Sequence, residues 1–333
     1  MEPGRRRKRN STNAEAQDPE TGAVSGEPAN DPFAILEAPD SLQAGGQNRE
    51  IHMYESRFNS RGEKMLLKSG SRSVLRGAKE VSVDAALVLT RYYSPQSNLT
   101  STQLEIRSPY IKDAMKAVIR FYPSVNINSD GPIYINNSPW PLFHYRHEIH
   151  RYAMKLRDEK AKEHVLFALQ YLKKVLGREI ITYENSIFNR DIAPGLEFND
   201  LWMAYRPGCL VYMKTPAGID HICRFRQMFR VRPKDAPVYW QIDTVALTWN
   251  GTELRYIFKR YAIFMYEGYK PFTSLFCYPL RYHPEEQSIR EKLRERGEKY
   301  ASFSGIHHCM YDGVARSPEG IHPGAASHPQ TVS

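Results

Sequence analysis

The sequence predicts an α+β fold, with a helix-containing first half packed with a small twisted antiparallel β-sheet or barrel in the second half. Two changes of pattern carry this. Between Ile111 and Leu176 apolar residues recur three and four positions apart, the period of a helix with one buried face. After about Ile192 the apolar runs become short, β-branched and aromatic, and are separated by Gly, Pro and an Asn-Gly pair. A chain of 333 residues with 41% hydrophobic and 12% aromatic residues has enough apolar surface to bury a real core.

Residues 1–50 read as a disordered tail, because they lack apolar periodicity and bury too little to offset the entropy of ordering. They hold six Lys/Arg against nine Asp/Glu, so the whole-chain charge of +9 leaves the remainder near +12. The basicity therefore belongs to the folded part. Arg5-Arg6-Arg7-Lys8-Arg9 has the composition of a nuclear-localisation or phosphate-contacting patch, a composition that solvated tails also reach by chance. No apolar run reaches the roughly 18 to 20 residues of a membrane helix, and no signal-peptide core follows Met1. An intracellular chain, nuclear or cytoplasmic, is expected. Its four widely spaced cysteines then read as reduced thiols, and the Asn-x-Ser/Thr matches at Asn10, Asn98 and Asn250 as unglycosylated.

His52 to Ser71 is expected to form the first strands or a hairpin. Alternation at Leu104 and Ile106 gives way to helical spacing at Ile111, Met115, Val118, Ile119 and Tyr122. Ser108 can cap the orphan amides, Pro109 fits the first turn without wasting a donor, and Pro123 closes the helix. A short strand at Ile133–Ile135 and a Pro-bracketed turn around Trp140 follow. Two helical stretches come next, one presenting Ile149, Tyr152, Ala153 and Leu156, the other Val165, Leu169, Leu172 and Leu176, with Gly177 as the stop. In the second half Asn250-Gly251 is the strongest hairpin signal, since both residues tolerate the positive φ of a type I′ turn. The segment "HPEEQSIREKLRERGEKY" reads as one amphipathic helix carrying Ile289 and Leu293 and ending at Gly297. The segment "SGIHHCMYDG" reads as a closing strand. Leu201, Trp202, Leu210, Tyr212, Trp240, Ile242, Phe264 and Tyr266 are the expected β core.

Three kinds of chemistry bear on this sequence. A zinc site needs four converging ligands. On a strand His307 and Cys309 face one side and His308 the other, so a site would need His221 and Cys223 from a neighbouring strand; ordinary half-buried strand residues are the competing reading. No nucleophile motif is present, and His147-Glu148-Ile149-His150 has the wrong spacing for a zincin, reading instead as a polar helix surface. A P-loop requires Gly-x4-Gly-Lys-Ser/Thr; "GSRSVLRGAKE" at Gly70–Glu80 places Ala78 between Gly77 and Lys79, and no Walker B strand follows. The chain is expected not to be an enzyme and to hold no metal or cofactor.

Basic and aromatic residues do cluster in the β half. Arg224, Arg226, Arg230, Arg232, Lys234, Arg255, Lys259 and Arg260 interleave with Phe225, Phe229, Tyr239, Trp240, Tyr256 and Phe258. Such a face can bind an acidic protein or a nucleic-acid backbone, or be a solvated sheet face over an aromatic core. Partner contact is assigned to Arg224, Arg226, Arg230, Arg255 and Lys259, with alternation placing Arg224 and Arg226 opposite Phe225.

The ordered series "SPYIKDAMKAVIRFYP", "PLFHYRHEI", "EHVLFALQYL", "LWMAYRPGCLVYM", "ALTWNG", "FMYEGYKPFTSLFCYPLRYH" and "RERGEKYASFSGIHHCMYDGVA" resembles the uncharacterised N-terminal domain of fungal AAA+ family ATPases. The resemblance covers residues 51–315, a mixed subregion 51–192 and a β-rich subregion 193–315. Its motif positions are Trp202, Pro207, Gly208, Gly251, Gly268, Arg296, Gly297, Tyr311 and Gly313. Arg296-Gly297 would stand after the last helix, and Tyr311-Asp312-Gly313 at the turn before the linker. Family members continue into an ATPase module, whereas residues 316–333 read here as a disordered tail of Pro, Gly, Ser and His, as in a truncated form. The resemblance implies a substrate- or adaptor-binding recognition domain for a protein partner, with ATP and Mg required only in a longer parent and a monomer in the absence of the motor. The alternative is a nuclear nucleic-acid-associated protein using a basic sheet face.

Overall fold

A computed structural model of the protein describes residues 45–69, 74–75, 84–189, 191–215, 218–249 and 253–302. Most of segment 1–50, all of 316–333, the Asn250-Gly251 pair and the expected closing strand with His307, His308, Cys309, Tyr311 and Gly313 lie outside the described residues. The fold is α+β, with two main sheets, both open at their ends among the described residues, so no barrel closes.

The first sheet has six strands: β1 (Asn48–Phe58), β2 (Lys64–Lys68), β3 (Val74–Leu75), β4 (Ala85–Tyr93), β5 (Leu99–Ile106) and β6 (Ile133–Asn136), in the order β3-β2-β1-β4-β5-β6. β1 begins inside the segment read as tail, and it pairs with β4 in parallel and with β2 antiparallel. Buried residues of β4, β5 and β6 share one apolar cluster with residues of the helices that follow. In α1 (Pro109–Val118) the Ser108 hydroxyl accepts from the Ile111 amide and Pro109 occupies the first turn, as expected. The helix ends earlier than its spacing predicts. Ile119 is extended, and Tyr122 is bridged to Val125; Pro123 keeps the preceding Tyr122 out of helical backbone.

The Trp140 turn is a short helix, α2 (Trp140–His144), followed by α3 (Arg146–Lys155) and α4 (Glu159–Phe188). Gly177 does not stop α4. The backbone breaks locally at Leu176 (φ −121°, ψ 29°) and the helix resumes, because Ile180, Tyr183 and Ile187 beyond the kink pack on the core. That packing offsets the roughly 1 kcal/mol by which glycine disfavours a helix.

The second sheet contains β8 (Leu210–Lys214), β9 (Asp220–Val231), β10 (Tyr239–Trp249), β11 (Leu254–Phe264) and β13 (Cys277–Pro279), all antiparallel, in the order β11-β10-β9-β8-β13. A small ribbon pairs β7 (Gly195–Glu197) with β12 (Tyr269–Pro271). Arg206-Pro207-Gly208-Cys209 is the turn that opens β8. The Cys209 amide donates to the Arg206 carbonyl at 3.0 Å, and Gly208 has φ +88°, the third position of a type II turn, where a side chain is strained. Gly268 also has positive φ, in the turn between β11 and β12. β10 and β11 form the expected hairpin, but Trp249 pairs with Leu254, so four residues connect the strands where the type I′ reading has two.

One apolar cluster runs from Ala86 in β4 to Leu293 in α5 (Glu286–Ser302), joining both main sheets and the five α-helices among the described residues. Leu201, Trp202, Tyr212, Trp240 and Ile242 are buried in it as expected, while Leu210 and Tyr266 are half-buried against it. Trp202 lies in a 3-10 turn, Phe198–Met203, and not in a strand. Phe264 corrects the list, because it is 59% exposed. Its register partner is Tyr239 on the solvent side, and it is Ile263, opposite Trp240, that turns inward.

α5 also runs through Gly297, so Arg296-Gly297 lies within the last helix and not after it. The Arg296 guanidinium reaches back to the Asp220 carbonyl at 3.0 Å and Lys292 to its carboxylate, also at 3.0 Å, docking the helix on β9. A Cβ at Gly297 would meet nothing within 4 Å. Gly297→Ala is therefore expected to stabilise the protein by about 0.5 to 1 kcal/mol, read as a higher urea midpoint at unchanged slope. A lower midpoint would mean that α5 does not continue past Arg296.

Candidate functional site

The outer face of the second sheet is set by register and by one bulge. β9 alternates Arg224 and Arg226 outward with Cys223 and Phe225 inward. Phe225 then opposes Thr244 while Gln227 opposes Asp243, leaving Arg226 as the extra residue. A bulge of this kind reverses which parity faces out. Beyond it Phe229 is exposed, and Met228 and Arg230 turn inward with Ile242 and Trp240.

Cross-strand register carries the same face into β10 and β11. It presents Phe229, Leu247, Tyr256, Phe258 and Phe264, between 41% and 72% exposed, together with Arg224, Arg226 and Arg260. The Arg226 guanidinium lies 5.1 Å from the Phe258 ring centre. The acid among them is Asp243, which accepts from Gln227 at 3.1 Å and Gln241 at 2.9 Å and lies 3.6 Å from Arg260. The result is a solvent-facing sheet surface of large apolar side chains and arginines.

Three of the five residues assigned to partner contact belong elsewhere. Arg230 is turned to the inner side opposite Trp240, 5.5 Å from the Phe198 ring, and its Nε is buried with no hydrogen-bond partner among the described residues. Lys259 opposes Thr244 on the inner side, with Nζ 3.4 Å from His221 Nε2. Arg255 opposes Thr248 near the hairpin tip and pairs with Glu253 at 2.6 Å. Arg260 joins the face opposite Asp243; alternation within one strand says nothing about which parity of the next strand faces the same way.

His221 and Cys223 do meet, with Sγ 3.2 Å from Nε2. Burial first, then the Lys259 and Arg296 cations, hold His221 below its ordinary pKa. Cys223 is nearly inaccessible at 2% exposure. Among the described residues no cluster of three or more His, Cys, Asp or Glu side chains could hold a metal ion. No helix among them is long and apolar enough to cross a membrane.

A cleft of about 420 Å³ lies where the first sheet meets the second. Its wall is aromatic. Trp140 stacks on Trp202 with ring centres 4.9 Å apart and planes 11° apart, and Trp240 closes the side 6.5 Å from Trp140. The floor is fixed by the buried His144, whose Nε2 donates to the Trp202 carbonyl and whose Nδ1 accepts from the Tyr122 hydroxyl, both at 2.9 Å. Accepting at Nδ1 while donating at Nε2 needs the neutral imidazole, and burial pushes its pKa down to about 3. Trp240 Nε1 donates to the Phe198 carbonyl at 2.7 Å. Arg206, from the Pro-Gly turn, pairs with Glu148 at 2.6 Å and lies 3.9 Å from the Tyr145 ring centre, which ties the second half to α3. The Glu148 of the His147–His150 stretch is thus partly a structural anchor.

A family model described as a domain of unknown function, DUF7025, matches residues 192–284. The match takes in the whole second sheet, the Phe198–Met203 turn and Trp202, Arg230 and Trp240, but not the Tyr122–Pro141 side of the cleft. Neither the curated proteins nor the solved structures contain a match to the chain.

Proposed function

We propose that the chain is a non-catalytic recognition domain that binds a protein client or adaptor through the outer face of its second sheet. The observation that carries the reading is that exposed face, on which Arg224, Arg226 and Arg260 stand among Phe229, Leu247, Tyr256, Phe258 and Phe264. An apolar patch this dense, set among cations, marks an interaction surface, and its charge selects an acidic partner. The resemblance to the N-terminal domain of fungal AAA+ ATPases fits this role, with the motor and its ATP supplied by a longer parent.

A second reading is favoured by spacing. Tyr256 and Phe258 point the same way two residues apart, about 6.8 Å along a strand. That is about twice the stacking rise of duplex DNA, a separation at which unstacked bases of a single strand can each find a ring. Two titrations decide between the readings. A labelled acidic peptide and a single-stranded oligonucleotide are compared across a salt series. Nucleic-acid binding must weaken steeply with salt, with a log–log slope near −0.7 per phosphate neutralised. Arg224→Glu with Arg226→Glu is expected to change stability by no more than about 0.5 kcal/mol per site while weakening whichever partner binds. Micromolar ATP–Mg binding with turnover in calorimetry would overturn the non-catalytic reading.

A further inference from the structure

We infer that the cleft between the two sheets is a second, separate recognition site, which takes an extended peptide as an added strand and reads a large apolar side chain followed two residues later by a carboxylate. The backbone carries the first part of the argument. β9 is flanked on both sides only as far as Phe225: β8 pairs with it up to Leu210 opposite Arg224, and Phe225 exchanges hydrogen bonds with Gly208 and Cys209. From Gln227 to Val231 it pairs with β10 alone, and its other edge has no strand partner among the described residues.

That free edge borders the cleft. Four consecutive residues, Gln227 to Arg230, line it. Consecutive strand residues point to opposite faces of a sheet, so a cavity touching all four meets the strand edge-on, where the unpaired N–H and C=O groups stand. Across the cleft lies the end of β6, the outermost strand of the first sheet, with Asn136, Asn137 and Ser138 on the lining. An unpaired edge beside a pocket for alternate side chains is the geometry of strand addition, in which main-chain bonds supply affinity and the pockets supply specificity.

The side chains define what is read. Trp140, Trp202 and Trp240 form an aromatic wall able to hold a large apolar group. Arg230 is the charged side chain on the lining, no Asp or Glu is among the described residues that line the cleft with it, and its Nε is buried without a hydrogen-bond partner among them. A guanidinium on an aromatic cleft lining with one donor already unpaired is unfavourable, and a carboxylate brought by a ligand compensates it with a charge-assisted bond to the group. Residues two apart on a strand share a face, so the apolar group and the acid sit at i and i+2 of the bound segment.

The test uses the full chain and its own tryptophan emission. The probes are end-capped pentapeptides Thr-Φ-Thr-Z-Thr, with Φ Leu or Phe and Z Glu or Lys. Saturable changes are expected with the Glu peptides, roughly tenfold tighter than with the Lys peptides, the size of one charge-assisted hydrogen bond. N-methylation of alternate amides, which removes the donors that would pair with β9, should weaken binding by about tenfold or more. Arg230→Gln should erase the Glu preference and keep the N-methyl effect. Arg224→Glu with Arg226→Glu should leave all of these unchanged, which separates this site from the outer face. Absence of any saturable change at millimolar peptide, equal binding of the N-methylated peptides, or a Glu preference surviving in Arg230→Gln would each overturn the inference.

Discussion

Trp202→Ala is expected to lower the free energy of unfolding by roughly 3 to 5 kcal/mol, the range for removing a large buried aromatic side chain. Trp202 is 6% exposed, stacks on Trp140 and lies 4.8 Å from the Phe143 ring. The substitution keeps the backbone carbonyl that accepts from His144, so the loss reports packing and not a broken hydrogen bond. Phe264→Ala is the matched control. Phe264 is 59% exposed and touches Tyr239 at its edge, so its loss should stay near the ±0.5 kcal/mol of an ordinary surface change. Urea unfolding of the two variants reads the result. A larger loss for Phe264→Ala would invert the assignment of inner and outer faces.

Stability is expected to fall as the pH drops below about 6.5, with His144 a main source. In the folded protein burial, aided by the Arg206, Arg281 and Arg146 charges and only partly opposed by the bond to the Trp202 carbonyl, lowers its pKa to about 3. The unfolded chain has the ordinary value near 6.5. A base whose folded pKa is depressed contributes fully above the unfolded value. Its contribution is lost from about 6.5 down toward 3, because only the unfolded state takes up the proton, by at most about 1.4 kcal/mol per pH unit. His147, His164 and His221 are shifted in the same direction, so the diagnostic quantity is a difference. His144→Gln should be less stable at neutral pH, but its stability should fall less steeply between pH 6.5 and 4. Parallel curves for the two proteins would remove His144 as the source.

Much of the fold could be read from the chain because local rules and burial agree there. Ser108-Pro109 opens a helix, Ile133–Ile135 makes a strand, Pro207-Gly208 makes a turn, and Arg224 and Arg226 face away from Phe225. Two of the misreadings concern glycine. Gly177 and Gly297 are helix-stop residues by intrinsic preference, a matter of about 1 kcal/mol, and in both cases the helix continues. At Gly177 the packing of Ile180, Tyr183 and Ile187 outweighs the preference.

Sequence by itself determined the class of fold, the identity of most core residues and the basic, aromatic character of the β half, because these follow from periodicity and composition within single segments. Tertiary structure alone decided which cations share a surface. Cross-strand register brought Arg260 beside Arg224 and Arg226, and the extra residue at Arg226 turned Arg230 inward. It also decided that a cleft exists, since Trp140, Trp202 and Trp240 are far apart along the chain and come together only where the two sheets meet. Alternation is a property of one strand, whereas register, bulges and the meeting of sheets are settled by contacts between distant segments, and those are not written in any local pattern.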